Sequence, residues 1–284
     1  MDRFEVNVPG STSKTFYADE TATASTTSVT VTVVNAIGTT LATSAATTGT
    51  NPYAYAITGF SAPDLLSLSW SGTISSLARV EASKVEIVGG RYFQLGELRG
   101  AESQIQSTTD YPTARLTVAR DRAETRLEEC MGRSFVSRVA VERHVGKGCH
   151  LRLRRPHVTS IRQVKIDGTV ADASTYNLQG SEFVPQLYRP AGWDSWTDTD
   201  AIIEVVYVHG TGTVPDDVKW AAMKLTAFYA QRSGLPGTSI VDRAIGRFED
   251  PSGGSYGIST AGPGRVGIPE VDAIIADRRL VVFG

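Results

Sequence analysis

Apolar and polar residues alternate along the first hundred positions. Val29, Val31 and Val33 are separated by Thr30 and Thr32, the two-residue period of a strand with one buried face. The same period recurs at Tyr53, Tyr55 and Ile57 with Ala54 and Ala56, and at Leu66, Leu68 and Trp70 with Ser67, Ser69 and Ser71. Val85 and Ile87 repeat it once more, and Asn35-Ala36-Ile37-Gly38 is a turn signal. Residues 21–50 hold 12 Thr and 3 Ser. Threonine suits a pleated, half-exposed surface, so this richness reads as strand faces rather than disorder. Short strands at such spacing predict an antiparallel sandwich. Residues 97–110, from Glu97-Leu98-Arg99-Gly100 into polar Gln104–Asp110, read as a linker.

The period then changes. Leu116, Ala119, Ala123, Leu127 and Cys130 share one helical face. Tyr111-Pro112 opens this helix with Asp110 as a candidate N-cap, Arg120 and Glu124 pair across a turn, and Gly132 closes it. Next, Phe135, Val139, Val141 and Val145 share one strand face, and Arg138, Glu142 and His144 the other. Gly146-Lys147-Gly148 turns the chain, after which Leu151 and Leu153 point inward and Arg152 and Arg154 outward. Ile161–Ile166 is a strand closed by the Asp167-Gly168 turn. Ala201–Val208 is apolar on both faces except at Glu204, as in a central strand. Val214-Pro215-Asp216-Asp217 starts a second helix with a stripe of Val218, Ala221, Ala222, Leu225, Phe228 and Tyr229, ended by Gly234. The Gly- and Ser-rich stretch 234–267 reads as a long loop suited to contacting a partner. Pro269 opens a last helix carrying Val271, Ile274 and Ile275, and Leu280, Val281, Val282 and Phe283 follow. Four consecutive apolar residues there suggest insertion into a neighbour, the alternative being a fold back onto their own domain.

Composition sharpens this picture. A length of 284 residues suggests about two domains. The chain is 41% hydrophobic and 20% charged, with a net charge of −2, so no bulk acidic or basic character points to nucleic acid. Residues 1–100 carry 6 Lys/Arg and 8 Asp/Glu, leaving 22 of each for residues 101–284, a composition break that marks a domain boundary. No apolar run reaches the ~18–20 residues of a membrane span, and Met1-Asp2-Arg3-Phe4-Glu5 lacks the order of a signal peptide. Two cysteines, Cys130 and Cys149, exclude a disulfide scaffold and suit a reducing compartment or indifference to redox. Residues 131–165 hold nine Lys/Arg and one acid, Glu142. Three readings of that basic stretch stay open: a solvated strand face, a subunit or portal contact with acidic partners, and a wall facing the DNA conduit.

Two resemblances follow. Residues 1–100 resemble immunoglobulin-like modules in their strand pattern, without a Cys…Trp…Cys signature. Residues 111–284 resemble the head-to-tail adaptor (head-tail connector) proteins of long-tailed double-stranded DNA bacteriophages. The likeness lies in the order of short motifs: Ala119-Arg120, Ala123-Glu124 and Leu127-Glu128 before Gly132-Arg133-Ser134-Phe135-Val136; then Leu151, Leu153, Pro156-His157-Val158, Asp167-Gly168 and Tyr176. Val205, Tyr207, His209-Gly210, Val214-Pro215-Asp216-Asp217-Val218 and Gly267-Ile268-Pro269-Glu270-Val271 complete it.

The resemblance implies an α+β chain. An immunoglobulin-like β-sandwich at residues 1–100 precedes a helical adaptor domain with a strand-rich insert at residues 101–284. It implies a structural virion protein at the head–tail interface, made in the host cytoplasm. Its copies form a homo-oligomeric ring, a dodecamer, under the portal protein, and a downstream neck or head-closure (stopper) protein binds below. Genomic DNA passes through the lumen without sequence-specific binding, and no membrane takes part. Portal contacts fall on Arg278, Arg279, Leu280, Val281, Val282 and Phe283. Independently of the resemblance, the contact reading of the basic stretch places subunit or portal contacts on Arg138, Arg143, Arg152, Arg154 and Arg155.

Chemistry is sparse. Gly253-Gly254-Ser255-Tyr256-Gly257 fits the G-x-S-x-G string but lacks the strand before and helix after a nucleophile elbow. Gly262-Pro263-Gly264-Arg265-Val266-Gly267 fits G-x-G-x-x-G without a βαβ unit around it. Cys130, His144, Cys149, His150 and His157 lack zinc-ligand spacing. No catalytic residue, metal or cofactor is expected, and the chain is read as a non-enzyme. The competing reading is an adhesive or carbohydrate-binding virion surface protein, built on the sandwich and on Trp193 and Trp196.

Overall fold

The computed structural model describes residues 1–18, 21–146, 148–193, 201–232, 247–249, 255–257 and 265–279. It is a mixed α+β chain that divides into two compact units, residues 1–90 with 136–212 and residues 91–135 with 213–284.

The first unit is built of strands. Residues 1–90 give β1 (Asp2–Glu5), β2 (Gly10–Lys14), β3 (Tyr17–Ala18), β4 (Thr21–Ala22), β5 (Thr30–Val34), β6 (Thr40–Ala46), β7 (Tyr53–Ile57), β8 (Asp64–Ile74) and β9 (Leu77–Val88). Five of them form a sheet ordered β1-β9-β8-β5-β6, in which β1 joins parallel to β9 and the other pairs are antiparallel. β2 pairs with β7, and β3 with β4. The alternation predicts β5, β7, β8 and β9, but not β1–β4 or β6, and the parallel pairing of β1 with β9 departs from the antiparallel arrangement expected. Val29, Val31, Val33, Leu66, Leu68, Trp70, Val85 and Ile87 are buried in one core, which also takes Tyr53 and Ile57 from β7. Trp70 lies at 0% exposure with its indole N–H on Ser83 Oγ at 2.8 Å, so the buried polar edge is satisfied. The Asn35–Gly38 turn forms as expected, with Gly38 at φ +90°.

Residues 136–212 add β10 (Arg138–Val145), β11 (His150–Arg152), β12 (Val158–Ile166), β13 (Thr169–Val170), β14 (Asn177–Gly180), β15 (Pro185–Tyr188) and β16 (Ile202–His209). They make a four-stranded sheet, β10-β16-β12-β13, and a three-stranded one, β11-β15-β14. β16 is central, as its two-sided apolar character predicts. Leu151, Leu153 and Leu187 meet Val164, Ile203, Val205 and Tyr207 in a core that also holds Trp193. The opposite face of the larger sheet buries Val139, Val206 and Val208 against Ala36, Ile37 and Leu65. β10 reverses the usual polarity: Glu142 is buried, whereas Val141 and Val145 are 39% and 56% exposed.

The second unit is mainly helical: α1 (Leu95–Ala101), α2 (Thr113–Met131), α3 (Asp216–Arg232) and α4 (Pro269–Arg278), with a short hairpin of β17 (Arg247–Glu249) and β18 (Ser255–Gly257). Stretch 97–110 is not a linker. It holds most of α1 and a 3₁₀ turn, and it buries Leu98 and Ile105, because two apolar residues in a polar run suffice to anchor a short helix. Asp110 does not cap α2; Pro112 occupies the N-cap without a side-chain bond. The C-terminal end follows expectation, with Gly132 left-handed at φ 74° and its N–H on Glu128 O. The predicted stripe of α2 is buried, as are Val218, Ala221, Ala222 and Leu225 of α3 and Val271 and Ile275 of α4. Asp272 accepts the Val266 and Gly267 amides at 2.6 and 3.1 Å, securing the start of α4.

Charged groups are buried beside that stripe. Arg91 pairs with Asp121 and lies 3.2 Å from Glu124, which also accepts the Tyr92 amide at 3.0 Å. Glu128 accepts from Tyr92 Oη at 3.2 Å and Ser134 Oγ at 3.0 Å. Arg120 donates to Phe93 O at 3.3 Å. These bonds hold residues 91–93 and 134–135, the two crossings into the strand-rich unit, to the same helix.

Candidate functional site

The basic stretch 131–165 is not a uniform surface. Arg138 holds Glu86 through two bonds of 2.5 and 2.6 Å, and Arg3 reaches the same buried carboxylate at 3.0 Å. Burial alone would raise the Glu86 pKa, but the two guanidiniums outweigh it and leave the carboxyl below its ordinary value. Arg143 pairs with Glu204 at 3.1 Å, and Lys165 lies 3.5 Å from the same side chain. Arg162 lies 3.6 Å from Asp64 and donates to Pro63 O. Arg133 stacks on Phe135, 4.9 Å from the ring centroid. Lys147 is outside the described residues.

Arg152, Arg154 and Arg155 remain. All three are exposed, and among the described residues no acid pairs with their guanidiniums. Their backbone, in contrast, is locked. The Arg154 amide donates to Glu142 Oε2 at 3.1 Å and the Arg155 amide to Tyr207 Oη at 3.2 Å. Tyr207 donates in turn to Glu142 Oε1, and His144 Nε2 lies 2.9 Å from Oε2. Burial favours the neutral form of Glu142, but the bonds from His144, Tyr207 and the Arg154 amide prevail and lower its pKa. Burial and the adjacent Glu142 push the Tyr207 phenol up, so it stays a donor. The lone acid of the basic stretch is thus the anchor beneath the arginines. Only its position, opposite residues that β16 supplies far along the chain, makes it one.

His209 closes the same strand end. It is buried, its Nδ1 has no partner, and burial followed by the charges of Arg138 and Arg155 lowers its pKa to about 4.

The other expected positions scatter. Arg278 pairs with Asp217 at 2.9 Å, Arg279 is exposed, and Leu280, Val281, Val282 and Phe283 lie outside the described residues. Trp193 is fully buried, with its N–H on Cys149 O at 3.0 Å, so it is a core residue and not half of an exposed aromatic pair; Trp196 lies outside the described residues. Ser255 sits in β18 of a two-stranded hairpin rather than on a strand-to-helix elbow. Residues 262–264 lie outside the described residues. Cys130 is buried in the α2 stripe, which pushes its thiol pKa up. Among the described residues, no group of three His, Cys, Asp or Glu side chains is placed to hold a metal, and no helix is long and apolar enough to cross a membrane.

No family model and no curated protein matches the chain. Among solved structures, it is similar to a chain from the neck of an empty gene transfer agent particle computed with C6 symmetry, at 17% identity and a TM-score of 0.45 over 68% of this chain and 91% of that one. A chain from the neck of the native particle computed with C12 symmetry gives 17% and 0.45, over 66% and 89%. A chain from the virion of the native particle gives 16% and 0.44, over 68% and 91%.

Proposed function

We propose that this chain is a head-to-tail adaptor: a structural virion protein whose copies form a ring beneath the portal, join the capsid to the neck, and extend the DNA conduit. The observation that carries the reading is the order of the second unit. Helix α2 ends at Gly132, seven strands intervene, and α3 then resumes the same helical unit at Asp216. A helical core interrupted by a strand-rich insert is the architecture that the sequence motifs of residues 111–284 imply. The motifs fall at its joints: Gly132 caps α2, Val214-Pro215-Asp216-Asp217 starts α3, and Gly267-Ile268-Pro269 starts α4.

In this reading residues 1–100 are an immunoglobulin-like decoration and residues 101–284 the adaptor proper. Arg278 to Phe283 dock on the portal, a stopper protein binds below, and the exposed arginines of the insert meet neighbouring protein. The chain acts by assembly, with no catalytic step. Electron microscopy of the protein mixed with its portal ring tests it. The expected image is a ring of density stacked coaxially under the portal. No binding to portal, together with absence from purified virions, would overturn it.

A further inference from the structure

Strand β9 is covered along one edge and open along part of the other. Strand β8 pairs with it from Leu77 to Ile87, through a two-residue turn at Ser75 and Ser76 with φ 49° and 64°. On the other edge, β1 pairs only with Val85–Val88. Among the described residues, no strand pairs with that edge between Leu77 and Lys84. The Val6 amide donates to Val88 O at 2.9 Å, so the main-chain groups of Val88 point to the β1 side. Main-chain groups alternate between the two edges of a strand, so those of Ala78, Val80 and Ala82 point the same way and meet no partner strand. The side chains of Leu77, Ala78, Arg79, Val80 and Ala82 are exposed. Arg79 pairs with no acid among the described residues, and Lys14 lies 3.3 Å from Glu81.

We propose that this open edge pairs antiparallel with the same edge of a second copy of the chain, about a two-fold axis at Val80. The charge pattern selects the register. Hydrogen-bonded pairs must join outward-pointing groups, which leaves two-fold centres at residues 78 to 82. A centre at Arg79 sets two guanidiniums opposite each other, and a centre at Glu81 sets two carboxylates opposite each other, both unfavourable. A centre at Ala82 puts Arg79 opposite Val85, where β1 already stands, and a centre at Ala78 puts it opposite Leu77. Only a centre at Val80 places Arg79 opposite Glu81, and symmetry does so twice. Those are non-hydrogen-bonded positions, where facing side chains come closest. On the other face, Ala78 lies opposite Ala82 and the two Val80 side chains meet. The paired stretch runs from Ser76 to Lys84, between the turn and the start of β1, so β1 of neither copy is displaced. A self-complementary contact closes at two copies, so this one joins sandwiches in pairs and does not depend on the ring reading. It also hides main-chain groups that would otherwise template open-ended association.

Cross-linking of the full chain reads the register. Hydrogen-bonded antiparallel partners have Cα atoms about 5.5 Å apart, within disulfide reach. On mild oxidation, Val80→Cys should therefore give roughly tenfold more covalent dimer than Ala82→Cys, whose sulfur would face Ala78 of the other copy. The unsubstituted chain, with its own Cys130 and Cys149, sets the background. Adding Arg79→Glu to the Val80→Cys chain should cut the dimer roughly tenfold at low salt, because carboxylates then face each other twice. Exchanging the charges, with Arg79→Glu/Glu81→Arg, should restore it. Thermal melts confirm that each variant folds. No excess of the Val80→Cys dimer over the Ala82→Cys dimer overturns the proposal. So does a dimer indifferent to Arg79→Glu, or a loss that the exchange does not restore. Portal binding tests the ring reading separately, so failure here leaves that reading standing.

Discussion

At the scale of the residue, the informative groups are buried and titratable. His209 is neutral in the folded chain, with a pKa near 4, against about 6.5 when unfolded. Below pH 6.5 the unfolded state therefore binds a proton that the folded state refuses. Stability from this group is fully present above pH 6.5 and declines as pH falls toward 4, by about 3 kcal/mol in total. Urea melts between pH 7.5 and 4 should show that decline, and His209→Gln should flatten it; an unchanged slope in the variant would falsify the assignment. Glu142 and Glu86 lose stability at lower pH, as pH falls through their own depressed values. Tyr207→Phe removes the hydroxyl that both donates to Glu142 and accepts the Arg155 amide. It should cost about 1–3 kcal/mol by urea denaturation, because a buried acceptor and a partly buried donor each lose a partner. Neither role is visible in the sequence, where Glu142 is one acid among bases and Tyr207 one apolar position of a strand. Both depend on pairing across 65 residues, which local pattern does not encode.

At the scale of the element, two glycines separate a conformational demand from a steric one. Gly132 ends α2 at φ 74°. Gly132→Ala should cost about 1 kcal/mol, the usual penalty for a side chain in the left-handed region. Gly210 is at φ +118°, and a Cβ there would lie 2.1 Å from Val136 O, a backbone atom that cannot turn aside. Gly210→Ala should therefore destabilise more than Gly132→Ala, and parallel thermal melts rank the two. The C-cap was legible because it follows a clear helical stripe. The second demand was not, since it comes from the close approach of residues far apart in sequence. The same contrast runs through the fold. Alternation at Val29–Val33, Leu66–Trp70 and Val85–Ile87 marks the strands, because one face meets a core and the other does not. The helix at 95–101 escaped, because its anchors are only Leu98 and, beyond it, Ile105. In β10 Glu142 of the polar face is buried because it finds partners there, while Val139 of the expected apolar face is buried and Val141 and Val145 are exposed.

At the scale of the whole molecule, a net charge of −2 coexists with three free arginines on one short segment. A dodecameric ring, as the resemblance implies, would repeat that segment twelvefold. Pointed into the lumen, such a collar would hold duplex DNA strongly, because every neutralised phosphate releases counterions and adds to affinity. On the proposed reading the ring is a conduit that must let DNA pass, which favours a protein–protein face for the arginines, where a local excess of charge fixes register without retaining the genome. The composition already marked this stretch, but not which of its bases were free; internal partners take Arg138, Arg143, Arg162 and Lys165, and pairing of that kind is settled only by the fold. The prediction concerns Arg152→Ala/Arg154→Ala in reconstituted particles. The double variant should keep its melting temperature and enter heads at reduced occupancy, measured by quantitative mass spectrometry of purified particles. Particles that do carry it should release DNA at the unsubstituted rate. Full occupancy with faster release would place the arginines on the wall of the channel, because removing them would then have lowered the friction on the passing duplex rather than loosened the ring.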